Sequence, residues 1–122
     1  MKIFGLIAMS LVVAVAATAA QPVAGDWNAV ITVGDVSLRL ALHVKETQKG
    51  LEATFDSIDQ KVMGMPVDRI ELKGQQLRFE IAAIQSVYTG TLNTGGTAIT
   101  GSWAQLGMNF PVDFKKAAGA KK

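Results

Sequence analysis

The sequence predicts an all-β fold, an antiparallel meander of about eight short strands that curls into a closed or nearly closed up-and-down barrel. Apolar residues recur at every second position through most of the chain, which is the period of a half-buried strand. Glycine-containing turns interrupt the alternation at short intervals, which is the spacing of hairpins. Beyond the first 20 or so residues no segment carries the helical period. A two-sheet sandwich satisfies the same pattern and is the alternative.

Taken in order, residues 1–20 stand apart from the rest. Lys2 precedes an apolar and small-residue run from Ile3 to Ala17, and Thr18, Ala19 and Ala20 lead into Gln21 and Pro22. That order is a cleavable signal peptide, and the run is shorter than the roughly 20 apolar residues a spanning helix needs. The expectation is an exported protein, periplasmic or extracellular, that does not span a membrane after cleavage. The chain has no cysteine, so neither a disulfide nor a lipid-bearing cysteine is available to it.

Residues 21–115 then read as one domain. Trp27, Ala29, Ile31 and Val33 share one face of a first strand, and Val36, Leu38, Leu40, Leu42 and Val44 one face of the second, with Gly34-Asp35 as the turn between them. Leu51, Ala53 and Phe55 point inward in the third, with Glu52, Thr54 and Asp56 outward. The stretch from Ser57 to Met65 loses the alternation and reads as the one long loop or a short helical turn. Ile70 and Leu72, then Leu77, Phe79, Ile81 and Ala83, form a hairpin about Lys73-Gly74-Gln75. Val87 to Asn93 and Thr97 to Ala104 flank Thr94-Gly95-Gly96, and Met108, Phe110, Val112 and Phe114 close the series. Gly90 and Gly101 fall on inward positions of adjacent strands, where glycine marks a bend or a close backbone approach. Residues 116–122 read as a flexible lysine-rich tail.

Charge argues against nucleic acid. The chain is formally +2, but Lys2 and the terminal Lys115, Lys116, Lys121 and Lys122 supply the excess, and the body between Gln21 and Phe114 is formally −3. No clustered basic face remains to bind phosphate.

Larger blocks carry a resemblance. Asp56-Ser57-x-Asp59-Gln60, Gly64-x-Pro66-Val67-Asp68, Tyr88-x-Gly90-Thr91-Leu92-Asn93 and Gly101-x-Trp103-x-Gln105, within a likeness spanning Gly25 to Lys115, resemble the small β-rich domain that precedes the catalytic domain in bacterial exported α/β-hydrolases of the serine peptidase and esterase kind. The resemblance implies architecture and compartment, and no catalytic residue. No Gly-x-Ser-x-Gly elbow and no second histidine occurs, so the expectation is a version of that accessory domain without its hydrolase. The Gly25-Asp26-Trp27 and Gly101-Ser102-Trp103 pairs also resemble, more weakly, lipocalin-like and avidin-like barrels.

Chemistry-bearing residues are few. His43 is the only histidine and falls on the outward register of its strand, which predicts a solvated surface imidazole and no catalytic role. One histidine and no cysteine make a poor transition-metal set, and the Asp56, Asp59 and Asp68 spacing matches no calcium loop, so no metal or other cofactor is expected. Contact with a partner is expected in the long loop, through Asp56, Ser57, Asp59, Gln60, Met63 and Met65, which set polar groups beside adaptable apolar ones. The competing reading has Met63 and Met65 plug one end of the barrel. Trp27, Phe55, Tyr88 and Trp103 fall on inward registers and are expected in the core.

These features predict a non-enzymatic exported module. Its expected partner is an envelope protein or component, with a hydrolase-associated role as one form of this. The alternative is a carrier or sensor of a small apolar ligand. Internal space separates the two: a contiguous apolar cavity of about 300 Å³ or more favours the carrier, and a filled interior favours the module.

Overall fold

Gly34 takes a positive φ of 62° at the first turn, a conformation open to glycine without steric cost, and the tight reversal pairs Val33 with Val36. From there the register of β1 (Gly25–Val33) and β2 (Val36–Thr47) runs without a break to Trp27 opposite Leu42 and Asp26 opposite His43. In this computed structural model, which describes residues 22–117, the same hairpin logic repeats along the chain. The further strands are β3 (Gly50–Ser57), β4 (Val62–Pro66), β5 (Arg69–Lys73), β6 (Gln76–Ile81), β7 (Ser86–Leu92), β8 (Ala98–Gln105) and β9 (Met108–Lys116). All belong to one antiparallel sheet of nine strands, ordered β4-β3-β2-β1-β9-β8-β7-β6-β5. The sheet curls into the barrel-like meander expected, not into two sheets.

The two edge strands, β4 and β5, are consecutive in the chain, so the polypeptide itself joins the sheet's edges. At the junction the Val67 N–H donates to the Ala53 carbonyl (3.1 Å) on one side of the seam and the Asp68 N–H to the Glu80 carbonyl (2.9 Å) on the other. One extended run, 62–73, therefore pairs first with β3 and then with β6. The edges are short, five residues in each of β4 and β5, which limits the unpaired backbone they present.

Three places differ from expectation. The region read as a long loop or a short helical turn holds a 3-10 turn, Ile58–Gln60, but it is followed by a ninth strand, β4. Its alternation fails because the ladder shifts register between Phe55 and Ser57, as Phe55 faces Met65 while Ser57 faces Val62. Ala83, expected inward, lies instead in a second 3-10 turn, Ala82–Ile84, and is exposed. Lys116, assigned to the tail, is the last residue of β9 and donates from Nζ to the Ala24 carbonyl (3.1 Å). The residues read as the signal peptide and residues 118–122 of the tail lie outside the described residues. Among the described residues no helix is long and apolar enough to cross a membrane.

Aromatic side chains fill the barrel's interior. Trp27, Phe55, Phe79, Tyr88, Trp103 and Phe114 are all buried, and burying a side chain of phenylalanine size contributes about 1.5–3 kcal/mol. Tyr88 stacks on Phe79 (5.2 Å between centroids) and meets Phe114 edge-on (5.1 Å), and its hydroxyl donates to the Val112 carbonyl (2.7 Å). Burial, with the Asp113 charge adding, pushes that hydroxyl's pKa far up, so it stays a donor. Gly90 and Gly101 face each other across β7 and β8 and make the room for this ring. A Cβ at Gly90 would come within 2.8 Å of the Tyr88 ring, and one at Gly101 within 2.6 Å of its hydroxyl.

Candidate functional site

The segment from Asp56 to Met65 is held by its own polar groups. Beyond Leu40, which pairs with Ser57, β2 outruns β3, and the Asp59 carboxylate takes over the missing strand's role by accepting the Arg39 backbone N–H (2.8 Å). The same carboxylate accepts from the Arg39 guanidinium, with Nη2 at 2.7 Å from Oδ1. Hydrogen bonding from that guanidinium, then from the Arg39 backbone, lowers the Asp59 pKa. Asp56, expected outward and in contact with a partner, is buried: Oδ1 accepts the Gly64 N–H (2.7 Å) inside the irregular stretch, and Oδ2 meets His43. Burial pushes the Asp56 carboxyl up, but the Gly64 N–H and His43 together outweigh it and hold the pKa down.

His43 is not the solvated imidazole its register predicts. Its Nδ1 lies 2.7 Å from Asp26 Oδ1 and its Nε2 2.8 Å from Asp56 Oδ2, so a carboxylate faces each ring nitrogen. Satisfying both requires the imidazolium, which donates twice. The Asp26 hydrogen bond, then the Asp56 bond, raises the His43 pKa against the opposing effect of burial. With both nitrogens occupied, neither is left to activate a nucleophile. This bridge ties β1, β2 and β3 together and, through Asp56, the backbone of β4.

Ser57, Gln60, Val62 and Met65 reach an open cup of about 650 Å³ at one end of the barrel. Its deepest lining is Leu40, Phe55 and Trp103, each nearly fully buried. Ile31 and Leu38 form one wall, Val62 and Met65 of β4 another, and Ile84 of the second 3-10 turn a third. The rim is made by the β1–β2 and β8–β9 turns, which place Val33, Val36, Leu106 and Met108 around it, all of them exposed apolar residues. Polar lining is confined to Ser57, Gln60 and Gln105. The described chain ends lie at the far end, where the Ala117 N–H donates to the Asp26 carbonyl (2.8 Å). A depression of about 680 Å³ on the outer wall differs in kind, since Arg39, Asp113 and Lys115 line it with mixed charge.

The six residues expected to make contact thus separate into three groups. Ser57, Gln60 and Met65 line the cup. Asp56 and Asp59 face structural partners, and Met63 is exposed and neither lines the cup nor plugs it. Sequence reasoning missed the rim. Its signal was Leu106 before Gly107, a bulky apolar residue where a two-residue hairpin turn favours Asn, Asp or Gly. Among the described residues no group of three or more His, Cys, Asp or Glu side chains is arranged to hold a metal ion. Comparison of the chain with protein-family models, with curated proteins and with solved structures returns no match.

Proposed function

We propose that this chain is a non-enzymatic exported carrier or sensor that holds one small apolar ligand in the mouth of its barrel. The observation that carries this reading is the cup itself. Its volume of about 650 Å³ lies within the range of ligand sites, about 300–1,000 Å³, and its walls are almost wholly apolar. The aromatic core beneath is packed, so the space is a distinct chamber at one end and not a slack interior. Export to the periplasm or beyond rests on the charged, apolar and small-residue order of residues 1–20.

A specific feature supports the interaction-module reading as the second. Val33, Val36, Leu106 and Met108 present apolar surface on the turns of neighbouring hairpins, and Leu106 is 68% exposed. An envelope protein, including a separately encoded hydrolase of the kind the resemblance implies, is the partner such a rim suits.

Binding of an uncharged naphthylamine probe, read by its fluorescence and by quenching of Trp103, tests the carrier reading. Wild-type protein is expected to take up one probe, and native mass spectrometry of protein purified from its own envelope to show a bound apolar mass. Met108→Glu puts a charge on the cup wall at a half-exposed position. It is expected to weaken probe binding about tenfold while changing stability by less than about 0.5 kcal/mol. A folded wild-type protein that takes up no probe, or a Met108→Glu variant that binds as well, refutes the carrier.

A further inference from the structure

The cup's few polar atoms differ in what they have left to offer. Gln105 is already a bridge: its Oε1 accepts the Trp103 indole N–H (3.0 Å), and its Nε2 gives one of its two N–H groups to the Ile84 carbonyl (2.9 Å), which pins the amide in the wall. Ser57 is buried, so its hydroxyl proton needs an acceptor, and it finds one in Gln60 Oε1 at 2.6 Å. That bond fixes the orientation of the Gln60 amide, with its carbonyl oxygen committed to Ser57 and its NH2 unclaimed by any described residue. Gln60 is exposed at the cup's edge. The cup therefore presents an apolar chamber with a neutral amide donor at its lip.

Among the described residues no ionisable side chain lines this chamber. A carboxylate or ammonium carried into it would lose water and gain no counter-charge. An uncharged hydrogen-bond acceptor, in contrast, meets the NH2 group. From this juxtaposition we infer that the ligand is an uncharged aliphatic chain bearing a carbonyl-type acceptor, such as a long-chain ester, and that Gln60 is the residue that selects it. The inference rests on the cup being the ligand site and adds the ligand's class.

Displacement of the bound naphthylamine probe at neutral pH by methyl laurate, lauric acid and dodecane tests it. Methyl laurate is expected to bind best, with lauric acid at least tenfold weaker because it is ionised. Dodecane is expected to be about three- to tenfold weaker, the worth of one hydrogen bond. Gln60→Glu keeps an oxygen for the Ser57 hydroxyl and removes the NH2, and Gln60→Leu removes both. Each is expected to abolish the preference for methyl laurate over dodecane, with thermal melting confirming that the variants are folded. Equal binding of lauric acid and its ester, or an ester preference that survives Gln60→Glu, overturns the assignment while leaving the cup as an apolar site. Failure of all three compounds to displace a bound probe overturns the assignment too, and failure of the probe itself to bind removes the carrier reading beneath it.

Discussion

Asp26 opposes His43 because the tight turn at Gly34-Asp35 sets the register of the first hairpin, so half of the histidine bridge was legible in the sequence. The other half was not. Asp56 reaches Nε2 only because β3 lies on the far side of β2 with Ala41 opposite Asp56, and because the Gly64 N–H takes the second carboxylate oxygen. Alternation alone says which face a side chain takes, and says nothing of which neighbours share that face. The bridge makes stability depend on pH with a definite sign. The folded His43 pKa is raised above its ordinary 6.5, so its contribution is complete below that value and fades as pH rises through the folded one. Asp56 and Asp59 are lowered from 3.8, so theirs is present above that value and fades as pH falls through the lowered ones. Stability is therefore expected to be greatest from about pH 4 to about pH 6.5. Because His43 is partly exposed, His43→Gln is expected to cost at most about 1 kcal/mol near pH 5.5, with the difference shrinking in alkaline solution. Urea melts of both proteins across that range check this, and a penalty independent of pH would show that His43 acts by packing alone.

At the scale of elements, strands with clean alternation were legible nearly to the residue, the first 3-10 turn only as one of two alternatives, and the second not at all. Both turns end on a residue in the left-handed region, Lys61 (φ 60°) and Gln85 (φ 52°), where neither glycine nor asparagine announces it. The β4 strand was hidden for a different reason. The register shift places Met63 and Gly64 between the paired residues Val62 and Met65, and so breaks the period that identifies a strand. The β8–β9 hairpin holds a third such conformation, Leu106 at φ 51° followed by Gly107 at φ 82°, the signature of a type I′ turn. A leucine there is strained as well as exposed, so folding does not explain its presence. Leu106→Asn is expected to raise stability by about 0.5–1 kcal/mol by relieving that strain. It should leave probe uptake within about twofold of wild type, since a single rim contact is worth well under 1 kcal/mol. Thermal melting and probe titration check both, and a lower melting temperature would show that Leu106 serves the fold. Loss of an envelope partner with probe uptake intact would instead favour the interaction module.

Across the whole molecule, the four sequence blocks 56–60, 64–68, 88–93 and 101–105 coincide with the devices that shape the barrel. The first supplies the Asp56 and Asp59 anchors and the Ser57–Gln60 bond. In the third, Tyr88 sits in the space that Gly90 leaves and is bonded to the β9 backbone. In the fourth, Gln105 links the Trp103 indole to the second 3-10 turn. The second, Gly64-x-Pro66-Val67-Asp68, ends at the seam, and Asp68 works there twice. Its backbone N–H donates to the Glu80 carbonyl (2.9 Å) while its carboxylate Oδ2 accepts the Ala82 N–H (2.6 Å), the first amide of the second 3-10 turn. That turn carries Ile84 into the cup wall, so one side chain fastens the sheet's edge and braces the mouth. Asp68→Ala keeps the backbone bond and removes the carboxylate, and is expected to cost about 1 kcal/mol, the worth of one exposed charge-assisted hydrogen bond. Hydrogen exchange should quicken at Ala82 and the neighbouring amides of β6 and the turn, while β1, β2, β8 and β9 keep their protection. If the variant exchanges like wild type at Ala82, the carboxylate plays no part in closing the barrel, and the backbone bonds of Val67 and Asp68 must hold the seam alone.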